Sequence, residues 1–148
     1  MITQSDGGPI VYASRKIRFS AAHFFYLDEL SEAENVARFG PSANRAGHGH
    51  NYEIEITVQG PCDPATGMVV NLKDLKKILE ETVVAPMDFK NLNTQVPFFK
   101  DHPPCLENMA LWLWGEIAPH VAALNLTLTY LKAAEAEDMY VEYFGETA

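Results

Sequence analysis

The chain has little cysteine, little positive charge and no long apolar run, and each shortage excludes a class of protein. Its 148 residues include only two cysteines, Cys62 and Cys105, which are too few for a disulfide framework. No apolar stretch approaches the ~20 residues that a membrane-spanning helix needs. The net charge of -9, from 20 acidic and 11 basic residues, would repel a nucleic-acid backbone. We therefore expect neither a membrane nor a nucleic-acid partner.

The N-terminal segment also lacks the features of a targeting sequence. Residues 1–9 are polar and turn-rich, with neither a basic patch nor an apolar core region. We interpret them as a loose lead-in, and together with the two thiols they favour a cytoplasmic location. The length fits a single domain over residues 1–148.

Patterns of apolar residues in the first half of the chain predict two long strands and two helices. Residues 10–26 alternate as an extended segment, and the apolar parity of residues 50–58 is typical of a strand. The intervening residues 28–47 are polar, with a helix start near Ser31. A short strand is expected at residues 68–70, before a helix that Asn71 can cap.

The second half predicts one more helix and a hairpin. The helix spans residues 105–121 and follows two prolines, and strands are expected at residues 126–132 and 139–144. An acidic turn over residues 135–138 would join those strands. Runs of strands and runs of helices indicate an α+β fold with an antiparallel sheet.

Three histidines at two places in the chain predict a metal site. His48 and His50 are two residues apart at the start of a strand, so both rings point to one face, while His23 ends another strand. A neighbouring strand lies only ~4.8 Å away, so the third ring can reach the pair. Gly47 and Gly49 would remove side chains that crowd the metal. Three imidazoles with no fourth protein ligand are typical of catalytic rather than structural zinc, although imidazole also suits iron.

The alternative is that these three are ordinary core or surface histidines. The other two, His102 and His120, lack such a context, and we expect both at the surface.

The chain resembles the 6-pyruvoyltetrahydropterin synthase family, which includes the bacterial 6-carboxytetrahydropterin synthases of queuosine biosynthesis. The matches run in order along nearly the whole chain. They are Phe-Ser-Ala-Ala-His at 19–23, Glu-Asn at 34–35, Phe-Gly at 39–40, Gly-His-Gly-His-Asn-Tyr at 47–52, Gly-Met-Val-Val at 67–70, Met-Asp-Phe-Lys-Asn-Leu-Asn at 87–93 and Glu-Asn at 107–108.

The resemblance implies a tunnelling fold, in which an antiparallel four-stranded sheet carries two helices on one face. It also implies a homohexamer, a dimer of trimers whose sheets close into barrels, with active sites between subunits. In such enzymes His23, His48 and His50 would hold zinc beside 7,8-dihydroneopterin triphosphate. A cysteine thiolate and an Asp-His pair would move protons while triphosphate leaves.

The chain differs from the family at the residues that would transfer protons. The position of the family cysteine is Ser42 by the eukaryotic-type spacing and Asn44 by the shorter bacterial spacing, and neither is a thiol. Phe89 stands where the partner histidine follows Asp88. A serine hydroxyl has a far higher pKa than a thiol, and phenylalanine cannot carry a proton. The family's pterin-anchoring Glu-Thr pair falls near Ala133-Ala134, and Glu135 is close enough to substitute. Cys105 and Leu106 replace two threonines before the retained Glu107.

The catalytic candidates are therefore Asp88, Glu107 and Ser42, the last at the old nucleophile position. The candidates for substrate binding are Glu107, Cys105 and Glu135. Cys105 has two interpretations: a thiol whose pKa a helix N-terminus lowers, or a small packing residue in place of threonine. Phosphates could meet a local basic pocket drawn from Arg18, Arg38, Arg45 and Lys90.

Two functions remain open from the residues. The first is a zinc-dependent pterin-converting enzyme, a carbon–oxygen lyase or side-chain-cleaving enzyme with altered chemistry. The second is a non-catalytic homo-oligomer that binds zinc and a pterin.

Overall fold

A five-stranded sheet with helices on one face forms the protein, for which the computed structural model describes residues 8–146. Most of the expected lead-in, residues 1–7, lies outside the described part. The elements are β1 (Ile10–His23), α1 (Glu32–Phe39), β2 (His48–Pro61), α2 (Leu72–Leu79), α3 (Ala85–Met87), β3 (Lys90–Asn91), α4 (Leu92–Gln95), α5 (Phe98–Asp101), α6 (Leu106–Ala122), β4 (Thr127–Ala136) and β5 (Met139–Tyr143). A 3₁₀ turn at Gly40–Ala43 follows α1, and a π turn at Glu80–Val84 joins α2 to α3.

The sheet order is β3-β1-β2-β4-β5, and its four long strands are antiparallel neighbours. This confirms the predicted fold class. The fifth strand, β3, adds only two residues, and it pairs in parallel with β1 at Ala21 and Ala22. Two residues carry no periodicity, so the sequence pattern gave no sign of β3.

The hydrophobic core lies between the inner face of the sheet and the helices α2 and α6. Alternate residues of β2 are buried on that face, and the helices contribute apolar residues at helical spacing. The fully buried set includes Tyr52, Ile54, Ile56, Val58, Leu75, Leu79, Met109, Leu113 and Ile117. Each such side chain contributes roughly 1.5–3 kcal/mol when it leaves water. The opposite face is charged, as in the ion pair of Arg18 with Glu53 at 2.9 Å.

Both predicted helix starts are confirmed by their caps. The Ser31 side chain accepts a hydrogen bond from the Glu34 amide while Glu34 accepts one from the Ser31 amide, which is a capping box. The Asn71 side chain accepts from the Lys73 amide at the start of α2.

Two sequence predictions of local structure are wrong. Residues 68–70 form no strand, because the chain folds back in a turn in which the Asp63 amide donates to the Met68 carbonyl oxygen. Gly67 adopts a φ of 74° there, which suits glycine. The hairpin turn contains only Glu137 and Asp138, and Glu135 belongs to β4.

Within residues 8–146, no helix has both the length and the apolar character needed to cross a bilayer.

Candidate metal centre

The pairing of β1 with β2 brings the three histidines together. His23, the last residue of β1, lies directly opposite His48, the first residue of β2, and His50 follows on the same face. One potential ligand nitrogen from each ring lies within 4.8 Å of the other two. The Nε2 atoms of His23 and His50 are 3.1 Å apart. The predicted convergence of the three rings is confirmed.

The protonation of His23 is set by its surroundings. Its Nδ1 is 2.9 Å from the carbonyl oxygen of Pro104, and since a carbonyl only accepts, this nitrogen carries the proton and donates. The Tyr52 hydroxyl lies 3.2 Å from the same nitrogen. Nε2 therefore presents its lone pair to the cluster. Burial lowers the pKa of His23 to about 4, and burial also lowers the pKa of His50.

This donor set fits a divalent metal such as zinc. Tetrahedral zinc with nitrogens at 2.0–2.1 Å requires about 3.3 Å between two ligand nitrogens, close to the 3.1 Å between His23 and His50. A neutral His23 with its other nitrogen held by a carbonyl is also the usual arrangement for a metal-ligating histidine. Because burial lowers the pKa of His23 and of His50, these two rings can bind a metal at neutral pH without losing a proton.

Of Gly47 and Gly49, only Gly47 occupies a position beside the cluster where a side chain would be crowded. Gly47 adopts a φ of 82°, and an added Cβ would lie 3.3 Å from the His23 carbonyl oxygen. Gly49 lies on the opposite face of β2 from the rings, and an added Cβ would make only an ordinary contact. The prediction that both glycines clear space for the metal is therefore wrong for Gly49.

Glu135 is the acidic residue that the fold brings to the histidines. Its Oε2 lies 4.0 Å from Nε2 of His23 and 3.9 Å from Nε2 of His50. A cavity of about 310 Å³ opens beside it and is also lined by Phe25, Cys105 and Glu107. The three predicted substrate-binding residues thus share one cavity.

Comparison with known proteins identifies the family. The profile of 6-pyruvoyl tetrahydropterin synthase matches residues 12–146. The 6-pyruvoyl tetrahydrobiopterin synthase of Homo sapiens is 45% identical over 134 residues, which cover 90% of this chain and 90% of that protein. A putative 6-carboxy-5,6,7,8-tetrahydropterin synthase of Archaeoglobus fulgidus is 32% identical over 115 residues, 76% of this chain and 90% of that protein.

The structure of the Caenorhabditis elegans 6-pyruvoyl tetrahydropterin synthase superposes with a TM-score of 0.86 at 33% identity, covering 96% of this chain and 100% of that one. The chain belongs to the 6-pyruvoyl tetrahydropterin synthase family. It is an enzyme of this type, as the sequence predicted.

Two catalytic candidates of the family pattern are held by backbone groups of β1 and of the chain just after it. Asp88 accepts a hydrogen bond from the Ser20 amide at 2.9 Å, at the outer edge of β1. Ser42 lies in the 3₁₀ turn after α1, where its carbonyl oxygen accepts from the Phe25 amide. In residues 8–146 no hydrogen bond joins either side chain to the histidines.

Phe89 occupies an unusual position beside Asp88. Its amide donates to the Ser20 carbonyl oxygen, its φ is 58°, and its ring is 87% exposed. A left-handed backbone is uncommon for such a bulky residue. At position 89, where the family has a histidine, the backbone of this chain carries the apolar ring of Phe89 instead.

Cys105 precedes α6 as its N-cap residue. Burial raises the pKa of its thiol, and the nearby Glu107 raises it further. The helix terminus does not produce an ionised thiol, so the packing interpretation is favoured over the reactive one.

The basic residues proposed for phosphate binding do not form one pocket. Arg38 and Arg45 line a common cavity of about 740 Å³, whose wall also includes Asp28. Arg45 pairs with Asp28 at 2.9 Å, and Arg18 is held by Glu53. Lys90 donates instead to the Ala85 carbonyl oxygen.

The contacts that hold His23 and the chain just after it were not predicted from the sequence. The side chain of Asn93 bonds both backbone polar groups of Phe24, and the buried Asn35 holds the backbone of Leu27. Pro104 acts through its carbonyl, which no side-chain pattern reveals. The position of Tyr52 beside the cluster could have been predicted, because it lies on the same face of β2 as His48 and His50.

Proposed function

We propose that the chain is a zinc-dependent pterin-converting lyase. It would act on 7,8-dihydroneopterin triphosphate or a close relative, by elimination or by cleavage of the side chain. The observation that carries this proposal is the convergence of His23, His48 and His50 on one point within a chain of this family. The names of the relatives from Homo sapiens and Archaeoglobus fulgidus support a pterin as the substrate class.

The three imidazoles would hold the metal, and the cavity beside them would hold the pterin. Zinc bound there would supply Lewis acidity to a substrate oxygen and so acidify the adjacent C–H bond. Glu107 and Glu135 line the cavity and are suited to accept hydrogen bonds from the amino and ring N–H groups of a pterin. Cys105 would contribute to the wall of that cavity.

Proton transfer is the step for which this chain is least equipped. Asp88 is a carboxylate without a neighbouring imidazole, and Ser42 is a hydroxyl where a thiol is expected. We therefore expect the standard synthase reaction to be weak or absent, with altered chemistry on a related pterin. Ready formation of 6-pyruvoyltetrahydropterin by the purified protein would contradict this expectation.

The family resemblance implies a homohexamer built from two trimers, and the free edges of the sheet support this proposal. In the described residues, β5 has no strand on its outer side, and β3 covers β1 only at Ala21 and Ala22. Long unpaired edges invite another chain, and a closed barrel of several copies would remove them. The cytoplasmic location is also a proposal, supported by two free thiols, Cys62 and Cys105.

Turnover of a defined pterin tests the proposal. The protein is incubated with dihydroneopterin triphosphate and, separately, with its dephosphorylated form, while the pterin is followed by absorbance and mass. We expect product from the wild type and none from His48→Ala, with His120→Ala as a control because that exposed histidine lies far along α6.

A binding protein without catalysis is the second candidate, favoured by the exposed apolar ring of Phe89 where an ionisable group is expected. Stoichiometric binding of the pterin with no change in its mass or absorbance would support this alternative and contradict the enzyme.

A further inference from the structure

Glu135 stands at a β-bulge of the last hairpin, on the face of the sheet that carries the histidines. Ala134 pairs with Tyr140 and Ala136 pairs with Met139, so Glu135 is the extra residue between them. Ala133 pairs with Ile54 of β2, and both are buried on the inner face of the sheet. Because side chains alternate along a strand, Glu135 shares that face with Ala133 and with the histidines.

The carboxylate of Glu135 faces two imidazole nitrogens and no cationic side chain. Its Oε2 is 4.0 Å from the Nε2 of His23 and 3.9 Å from the Nε2 of His50. Among residues 8–146, no lysine or arginine forms an ion pair with it. Its side chain is only 19% exposed, so water screens the charge incompletely.

The tautomer of His23 makes this arrangement one of converging acceptors. Because Nδ1 of His23 donates to the Pro104 carbonyl oxygen, Nε2 of the neutral ring has a lone pair. The carboxylate oxygen lies 4.0 Å from that lone pair, and Nε2 of His50 lies 3.1 Å from it. The lone pair and the carboxylate oxygen are two acceptors that repel each other, and a divalent cation between them would replace the repulsion with coordination.

We propose that the Glu135 carboxylate is the fourth ligand of the metal when no substrate is bound. This rests on the proposed metal centre of the three histidines. Ligand atoms of a tetrahedral site are about 3.3 Å apart, so the carboxylate oxygen is less than about 1 Å beyond that spacing from the ring nitrogens of His23 and His50. Coordination therefore requires the Glu135 side chain to move toward the rings.

The arrangement assigns Glu135 two successive roles. It closes the site while the cavity is empty, which keeps the metal from binding stray anions. A substrate that coordinates through its hydroxyl oxygens must displace the carboxylate, which is then free to accept hydrogen bonds within the same cavity of about 310 Å³.

Cobalt binding tests this role without any turnover. Co²⁺ is titrated into chelator-stripped wild type, Glu135→Gln and Glu137→Gln, and the visible absorption of the bound ion reports its ligands and geometry. Glu137→Gln is the matched control, because it removes the same charge from the exposed turn of the same hairpin. We expect Glu135→Gln to weaken binding at least about tenfold and to change the spectrum, since outer partners alone account for about 10–100-fold.

The other outcomes are equally distinct. If Glu135→Gln binds Co²⁺ with the affinity and spectrum of the wild type, Glu135 is not a ligand, although the three-histidine site stands. If the wild type takes up no Co²⁺, the metal centre itself is refuted, and this role with it. Glu135→Asp provides a second variant that keeps the charge, and we expect an affinity between those of the wild type and Glu135→Gln.

Discussion

The histidine cluster and the Asp88-Phe89 corner are both fixed to the last residues of β1, yet they are built differently. At His23 the strand end meets His48 in register, burial favours the neutral ring, and the Pro104 carbonyl oxygen leaves the lone pair on Nε2. At Ser20, three residues earlier, two hydrogen bonds clamp Asp88 and Phe89 to the strand edge. The histidine cluster has three nitrogens that can bind a metal, whereas the Asp88-Phe89 corner has a single carboxylate and no imidazole.

The difference separates the residues proposed for metal binding from those proposed for proton transfer. The histidine cluster depends on the pairing register of β1 and β2 and on the alternate residues of β2 that face inward, and the hydrophobic core depends on the same features. The Asp88-Phe89 corner depends on the positive φ of residue 89. Different side chains can occupy position 89, because Phe89 projects into solvent. A change at position 89 therefore alters chemistry without disturbing the core.

The largest effect is expected from breaking the cluster itself. His50→Ala removes one ligand, and we expect zinc affinity to fall by more than about 100-fold, since outer partners alone account for about 10–100-fold. Isothermal titration of chelator-stripped protein measures the affinity. His102→Ala is the control, because that exposed ring stacks on Phe98 far from the cluster. Equal affinities in the two variants would contradict a site that includes His50.

Restoring the missing proton carriers would sharpen the comparison. In Ser42→Cys combined with Phe89→His, we expect the rate of triphosphate release to rise by about 100-fold, the lower range for positioned acid–base groups. Phosphate-chain release is followed by chromatography of the reaction mixture. The control is Phe89→Tyr combined with Ser42→Cys, which adds a ring but no group that accepts a proton at neutral pH. A rise of the same size in that control would show that the added imidazole is irrelevant.

Two substitutions of Asp88 separate its structural role from its chemical role. Asp88→Ala leaves the Ser20 amide without its acceptor, and we expect a loss of about 1–3 kcal/mol in the free energy of unfolding. Asp88→Asn keeps an acceptor oxygen, so its stability should stay near that of the wild type while turnover falls. Urea unfolding together with turnover distinguishes the two. Full turnover in a stable Asp88→Asn would leave the carboxylate without a chemical role.

The smallest effect is expected from the hydroxyl of Tyr52. Tyr52→Phe removes the oxygen 3.2 Å from Nδ1 of His23, but the Pro104 carbonyl oxygen remains to accept the same proton. We expect zinc affinity to change less than about tenfold, below the usual cost of losing an outer partner. A larger loss would mean that Tyr52, rather than Pro104, orients the ring.

Much of the fold and the metal cluster could be predicted because both follow from strand periodicity. His48, His50 and Tyr52 share a parity with the buried residues of β2, so one pattern gave both the core and the ligands. The helix caps at Ser31 and Asn71 could also be predicted, because each depends on a hydrogen bond between residues close together in the sequence.

Other features escaped because they depend on contacts between distant segments. The bulge at Glu135 shifts the register by one residue, and an acidic sequence there also suits a turn. Pro104 contributes a carbonyl oxygen, and β3 is fixed by only two pairs with β1. Neither leaves a side-chain pattern in the sequence.

The metal content of the purified protein tests the account most directly. Wild type and His48→Ala are prepared without chelators, and bound metals are measured by mass spectrometry against protein concentration. We expect close to one divalent ion per chain in the wild type and almost none in His48→Ala. A wild type without bound metal that also fails to take up added zinc, or a variant that retains the full amount, would contradict a centre built from His23, His48 and His50.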